Sequence, residues 1–454
     1  MARQLGGFRA GRADTPASPP PGLAARVAAA RAIAEALTSS RPLDERLAAD
    51  STQQRGGLDP RDRALARSIA TVALRRLGTL RKALAQRLEK GMPRRGGALE
   101  WTLIAAAAQI LFLDTPDHAA VDLAVKAARA EAASAPFAAL ANAVLRAIAR
   151  DRDAILMSSD PLDDDTPGWL AQRWRSAYGE SVVRAIAAAH RAEPTLDLSV
   201  KSDASGWAGR LGGIVLPTGS VRLDTHAPVT ELEGYADGEW WVQDAAAALP
   251  ARLLRPRPGM RVADLCAAPG GKAAELAAAG ADLTAVDRSA ERLKLLAANF
   301  ERLRLTCEIA VADALAFDAA PFDAVLLDAP CSATGTIRRH PDVAWIKRPG
   351  DLAPLVKLQG ELLDKAIALT RPGGAIVYCV CSLEPEEGEA QIVAALRRNP
   401  DVRRQAVALE EIGGLAECLT PAGDLRTLPC HLWGDNPRRS GLDGFFAARL
   451  VKRD

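Results

Sequence analysis

Apolar positions recur at helical spacing through the first third of the chain. Leu65, Ile69 and Val72 lie three and four residues apart, as on one face of a helix, and Ala, Leu and Arg dominate residues 23–150. Proline stands where a first helical turn tolerates it in three places, after Asp59, Thr115 and Ala135. This pattern predicts an all-helical bundle.

The pattern changes after an acidic linker at residues 160–165. Two further helical stretches lie before Glu193, and short apolar runs then alternate with Gly, Pro and Asp up to Val242. Two of these runs, 196–200 and 213–216, have the length of strands. We therefore predict a small α/β connector over residues 160–242.

From Gln243 onward, strand-length apolar runs alternate with helical segments. The predicted strands are 261–266, 283–287, 308–313, 322–328 and 375–381. The predicted helices are 290–303, 351–370 and 385–398. Such alternation favours a mostly parallel, doubly wound sheet, on which ligands bind at the carboxyl ends of the strands.

Composition adds limits to this picture. At 454 residues, two or three domains are expected, and a formal net charge of +2 is too small to indicate a nucleic-acid binder by itself. Seven cysteines without regular spacing argue against a disulfide framework. Residues 1–22 lack an apolar core, so we predict a disordered tail rather than a secretory signal. We expect a cytoplasmic monomer without membrane partners.

Candidate chemistry begins at the end of the first predicted strand. Residues 266–272, Cys-Ala-Ala-Pro-Gly-Gly-Lys, combine paired glycines with the start of a helix, which suits close approach to a small ligand. Ala273 after Lys272 breaks the phosphate-loop pattern, and a nicotinamide fingerprint is missing. The next three predicted strands end at or near Asp287, Asp313 and Asp328. These carboxylates are candidates either for hydrogen-bond acceptors to a ligand or for helix caps.

These motifs resemble the RsmB/Sun (NSUN) family of RNA cytosine-C5 methyltransferases. The resemblance implies S-adenosylmethionine as the cofactor and no metal. It implies a cofactor-binding set at the strand ends: Cys266, Ala267, Ala268, Pro269, Gly270, Gly271, Lys272, Asp287, Arg292, Asp313 and Asp328. Asp328 is also expected beside the target base.

The reaction of that family explains the need for cysteine. C5 of cytosine is too weak a nucleophile to take a methyl group until a thiolate adds to C6. Cys331 and Cys381 both end predicted strands, and the residues alone leave open which of them attacks. The resemblance implies that Cys381 attacks and Cys331 assists release, with Asp328 as the third catalytic residue. A zinc site formed by Cys331, Cys379 and Cys381 is the alternative.

The family resemblance extends along most of the chain. Residues 59–66 and 141–146 resemble a NusB-like RNA-binding domain. The implied protein is multidomain, with an N-terminal all-α NusB-like bundle (23–155), the α/β connector (160–242) and a C-terminal α/β Rossmann-like class I methyltransferase (243–454). Its expected partner is RNA, specifically small-subunit ribosomal RNA, and not DNA. Transfer RNA, or ribosome assembly without catalysis, are the alternatives.

Two departures from the family pattern bear on a hydrogen bond to the thiolate and on RNA contact by the connector. Val380 stands where the family often has Thr, and Ser199 and Lys201 depart from the family's usual L-R-V-N. Three cationic side chains follow Cys331, and each either contacts an RNA phosphate or is a solvated surface charge: Arg338, Arg339 and Lys347.

Overall fold

The computed structural model describes residues 20–39, 43, 47, 58–225 and 227–454. The predicted disordered tail falls outside these residues except for positions 20–22. The chain forms two compact units, and Leu80–Ser158 belongs to the first. Ser159–Asp454 belongs to the second, together with Leu74–Thr79, so the predicted connector and methyltransferase segments share one unit.

The front part of the chain is helical, as its spacing predicted. Its helices are α1 Leu23–Ser39, α2 Pro60–Arg75, α3 Leu77–Ala85, α4 Leu99–Phe112, α5 Asp117–Ala130, α6 Ala138–Arg150 and α7 Arg152–Met157. Proline lies at the start of α2 and immediately before α5, as expected for a first turn. Helix α4 is apolar on most sides and buried along most of its length, which makes it the centre of the bundle.

The segment after the acidic linker combines helices with a small antiparallel sheet. Its elements are α8 Gly168–Tyr178, α9 Glu180–Arg191, β1 Leu196–Val200, α10 Ala204–Leu211, β2 Ile214–Val215, β3 Val221–Leu223 and β4 Trp240–Val242. The strand order is β2-β3-β1-β4. Asp197 on β1 accepts two hydrogen bonds of 2.7 Å from the guanidinium of Arg222 on β3, and both side chains are buried. This ion pair fixes the register of the two strands.

A second sheet fills the rest of the second unit. Its elements are α11 Ala245–Leu253, β5 Arg261–Leu265, α12 Gly271–Ala278, β6 Asp282–Asp287, α13 Ala290–Leu303, β7 Glu308–Val311, β8 Phe322–Asp328, α14 Val343–Ile346, α15 Leu352–Leu369, β9 Thr370–Val380, α16 Glu389–Arg398, β10 Val402–Arg404, β11 Leu425–Thr427 and β12 Phe445–Lys452. Strands β7, β6, β5, β8 and β9 are neighbours in that order and parallel. The predicted parallel sheet is therefore confirmed.

The sheet is extended by strands that the spacing did not predict. Strand β12 runs antiparallel between β9 and β10, and β11 also pairs with it. Apolar residues cover both faces, with α11, α12 and α13 contributing to one core and α15 and α16 to the other. The carboxyl ends of the parallel strands are thus the edge at which the candidate residues collect.

No helix in the ranges that the structure describes is both long and apolar enough to cross a lipid bilayer.

Candidate active site

The loop between β5 and α12 has the backbone of a ligand cradle. Gly270 has φ +105°, and a Cβ there would lie 2.8 Å from the side chain of Leu296, so a larger residue is excluded. Gly270 precedes α12 and offers no side chain to cap it, which leaves the first N–H groups of the helix available for a ligand. Burial, followed by nearby carboxylates, raises the pKa of Cys266 to about 12, so this thiol is not a nucleophile.

Asp287 and Arg292 both contact this loop. The carboxylate of Asp287, at the end of β6, accepts hydrogen bonds from the N–H groups of Ala268 (3.2 Å) and Ser289 (2.8 Å). Arg292 donates to the carbonyl of Ala268 and lies 3.6 Å from Asp287. Asp313 is exposed after β7, where it accepts from the N–H of Leu315 at 2.9 Å, and the N–H of the preceding Ala312 donates to the carbonyl of Asp287 at 3.1 Å.

Asp328 joins the cofactor loop to the cysteines. The ammonium of Lys272 donates to its carboxylate at 2.8 Å, and the thiol of Cys379 lies 3.5 Å from the other oxygen. Burial opposes the charge on Lys272, but Asp328, Cys379 and Cys381 together outweigh burial and raise the pKa of Lys272 above its ordinary value. Lys272 therefore stays cationic and fixes the position of Asp328 through this contact.

The two candidate thiols are in contact. The sulfurs of Cys331 and Cys381 lie 3.4 Å apart, and both residues are partly exposed. Backbone hydrogen bonds fix the segments that carry them, from Ala329 N–H to the carbonyl of Cys379 and from Gly335 N–H to the carbonyl of Cys381, each at 3.0 Å. One substrate atom is therefore within reach of both sulfurs.

The surroundings of the two thiols differ in charge. The hydrogen bond to Cys381, and then burial, raise the pKa of Cys331 well above its ordinary value, and the carboxylate of Glu387 acts in the same direction. The guanidinium of Arg339 and the ammonium of Lys272 instead interact electrostatically with Cys381. This arrangement keeps the proton on Cys331 and places two cationic side chains near Cys381.

Val380 faces away from this site. Its side chain is buried in the core on one face of the sheet, whereas Cys379 and Cys381 pack with the core on the other. Alternation along a strand explains this difference. A hydroxyl at position 380 would lie on the opposite face from Cys379 and Cys381.

The prediction that Arg338 contacts RNA phosphates is wrong. Its side chain is 2% exposed and donates to the carboxylate of Asp244 at 2.8 Å, with Asp443 at 3.5 Å. Arg339 is about one-third exposed and donates to Asp443 at 2.7 Å. The two guanidinium groups compensate buried carboxylates, whereas Arg339 and Lys347 are both partly exposed and keep the surface position that a phosphate contact requires.

A zinc site formed by Cys331, Cys379 and Cys381 is not supported. Within the described ranges, the one group of three potential ligands whose atoms lie within 4.8 Å of one another is formed by Glu417, Cys418 and His431. Glu417 already accepts the N–H of Leu432 at 2.7 Å, and Nδ1 of His431 lies 3.3 Å from Cys418. These contacts satisfy the group within the protein.

Sequence reasoning missed a buried polar network beneath the cysteines. Glu387 is fully buried and accepts hydrogen bonds from Ser332, Ser382 and Gln359. It lies in an acidic run that resembles a solvated surface segment. The serine that follows each cysteine is the only sequence signal of this network.

The residues at the sheet edge fit S-adenosylmethionine. Both carboxyl oxygens of Asp264 are buried without a hydrogen-bond partner among the described residues, beside the loop that ends in Lys272. Burial, and then the charge of Asp328, raise the pKa of Asp264 well above its usual range. Unpaired polar atoms, acidic strand ends and free helix N–H groups suit a ligand that carries cationic groups, hydroxyls and a carboxylate.

Comparison with known proteins identifies two families in the chain. A family model described as 16S rRNA methyltransferase RsmB/F matches residues 251–451, and the NusB family matches residues 23–150. These matches cover the segments for which the resemblance was noted.

Curated relatives and a solved structure extend the match to nearly the whole chain. The ribosomal RNA small subunit methyltransferase B of Xylella fastidiosa strain Temecula1 is 38% identical over 448 residues, which cover 95% of this chain and 98% of that protein. The protein of the same name from Xanthomonas campestris is 37% identical, with the same coverage. A crystal structure of PH0851 has a TM-score of 0.69 at 22% identity, covering 96% and 99% of the two chains, and shares the fold. The chain therefore belongs to the RsmB/F family of 16S rRNA methyltransferases, as its sequence motifs predicted.

Proposed function

We propose that this chain methylates C5 of a cytosine in small-subunit ribosomal RNA, with Cys381 as the nucleophile and Cys331 as the residue that assists release. The contact between two thiols in oppositely charged surroundings carries this proposal. The names of the relatives, which are small-subunit RNA methyltransferases, support the substrate.

The proposed reaction forms and breaks one bond between the protein and the base. The thiolate of Cys381 adds to C6, and the ring then carries electron density at C5. Asp328, held by Lys272, lies at the adjacent strand end and supports the ring through a hydrogen bond to the base. After C5 has taken the methyl group and lost its proton to a base, the bond between Cys381 and C6 breaks with the help of Cys331.

The cofactor is S-adenosylmethionine, which supplies an electrophilic methyl group to this site. We assign its binding to the loop 266–272 with Asp287, Arg292, Asp313 and Asp328. The free N–H groups of α12 suit its carboxylate, and the carboxylate of Asp287 suits its ribose hydroxyls.

We propose a different role for each of the three segments of the chain. We assign residues 23–155 to an RNA-binding domain, 160–242 to a connector and 243–454 to catalysis. In the connector, Lys201 donates to the carbonyl of Leu303, so this departure from the family pattern makes a contact within the protein. A cytoplasmic monomer without DNA or membrane partners stays a prediction.

Methyl transfer to defined RNAs tests this function. The purified chain with labelled S-adenosylmethionine is expected to produce 5-methylcytidine in small-subunit ribosomal RNA, detected by mass spectrometry of digested nucleosides. Transfer RNA serves as the competing substrate. Product on transfer RNA alone would reassign the substrate, and absence of product on both RNAs would favour an assembly factor without turnover.

Asp287→Ala is expected to weaken binding of S-adenosylmethionine by about tenfold to a hundredfold, because charge-assisted hydrogen bonds contribute about 1.5–3 kcal/mol. Isothermal titration calorimetry measures this change. Asp282→Ala, at the exposed opposite end of β6, is the matched control and should bind normally. Equal affinities for the two variants would contradict the ribose assignment.

A further inference from the structure

The segments that carry the two cysteines are joined by one buried carboxylate. Glu387 has no exposed surface, and its Oε1 accepts the N–H of Ser332 and the amide of Gln359, each at 2.9 Å. Its Oε2 accepts the hydroxyls of Ser332 and Ser382, each at 2.5 Å. Ser332 directly follows Cys331, and Ser382 directly follows Cys381.

We infer that Glu387 is a positioning residue for the methyl-transfer reaction, which joins the two cysteine segments and holds their sulfurs in contact. This inference rests on the proposed roles of Cys331 and Cys381. It adds a residue that contacts neither sulfur directly but contacts the neighbour of each.

The geometry of the network supports a positioning role rather than a role in stability alone. The hydroxyls of Ser332 and Ser382 both donate to Oε2 of Glu387, and they lie 3.0 Å from each other. Gln359 additionally donates to the carbonyl of Pro330 at 2.9 Å, which fixes the residue before Cys331. Hydrogen bonds of Glu387, and of Gln359 that contacts it, thus hold the backbone on both sides of Cys331.

The charge of Glu387 has a second consequence at this site. A buried carboxylate without a cation costs free energy, and here hydrogen bonds to neutral groups compensate it. The carboxylate of Glu387 raises the pKa of Cys331, which keeps that thiol protonated. The hydrogen bonds and the charge of Glu387 therefore both act on the segment of Cys331.

Two substitutions of Glu387 separate its hydrogen bonds from its charge. Glu387→Ala removes all the acceptors, so the two segments are free to shift. Glu387→Gln keeps an oxygen for Ser332 N–H and Gln359, and its amide can donate to serine hydroxyls that rotate to accept. A displacement of about 1 Å in reacting groups lowers turnover by about a hundredfold.

Steady-state methyl transfer to RNA is the measurement. Glu387→Ala is expected to lower kcat by about a hundredfold, with KM for S-adenosylmethionine within about threefold of wild type. Glu387→Gln should recover at least about tenfold of that loss. A kcat of Glu387→Ala within threefold of wild type, a KM that changes as much as kcat, or a Gln variant as inactive as the Ala variant would overturn the inference.

Controls keep the test independent of folding and of the proposed function. Glu384→Gln changes another buried carboxylate of the same segment, which pairs with Arg173 and Trp174 instead, and should turn over normally. If Glu387→Ala does not fold, Ser332→Ala and Ser382→Ala each remove one part of the network, and unchanged kcat in both contradicts the inference. An inactive wild-type chain refutes the proposed function, whereas activity of both wild type and Glu387→Ala refutes only the positioning role.

Discussion

Replacing Cys331 with alanine is expected to leave the protein covalently attached to its RNA. In the proposed reaction, Cys381 forms the bond to C6, and loss of Cys331 removes the group that assists its cleavage. The adduct should resist denaturants and appear as a slower-migrating band that carries labelled RNA. Because the sulfurs lie 3.4 Å apart, Cys331 is near enough to act at the same carbon.

Cys381→Ala provides the opposite result. Without the nucleophile, neither adduct nor product forms, and methyl transfer should fall by about three orders of magnitude or more. Both substitutions remove the same atoms from adjacent positions, so each serves as the packing control for the other. A covalent adduct with RNA in Cys381→Ala, and none in Cys331→Ala, would exchange the two roles.

Arg338→Met is expected to lower the free energy of unfolding by about 3–5 kcal/mol, because it leaves buried carboxylates without their cation. Asp244 and Asp443 are the affected groups, at 2.8 and 3.5 Å from the guanidinium. Urea unfolding followed by circular dichroism measures the change. The salt dependence of RNA affinity should stay as in wild type, since Arg338 does not reach the surface.

Lys347→Met is the counterpart of that experiment. Lys347 is half-buried at the end of α14, so its replacement should leave the free energy of unfolding nearly unchanged. If Lys347 contacts an RNA phosphate, the affinity should depend less steeply on salt. The slope of log affinity against log salt should become smaller in magnitude by about 0.7. A stable Arg338→Met with a reduced slope would restore Arg338 as an RNA contact.

The parallel part of the fold could be predicted because its central strands β5, β6 and β8 are mostly buried. Short apolar runs, such as residues 324–327 of β8, identify these strands, and Asp marks the carboxyl ends of β6 and β8. Strand β12 was missed because its apolar run contains Arg449, which reads as an exposed position. In the structure Arg449 is buried and pairs with Glu411 at 2.6 Å, a long-range contact that local pattern cannot show.

The candidate site divides in the same way. Motif spacing located the loop 266–272, Asp328 and the two cysteines, because each follows directly from the end of a strand. It could not distinguish Arg338 from Lys347, or Glu387 from the acids around it, since burial depends on residues far away in the chain. The choice between the thiols stays a prediction, because both follow strand ends and their sulfurs are in contact.

The place of β12 in the sheet has a consequence for synthesis of the protein. Residues 445–452 lie between β9 and β10, both of which are made earlier by the ribosome. Until they emerge, β9 presents an unpaired apolar edge to the cell, and such edges promote aggregation of nascent chains. In the folded protein, pairing of residues 445–452 with β9 covers this edge.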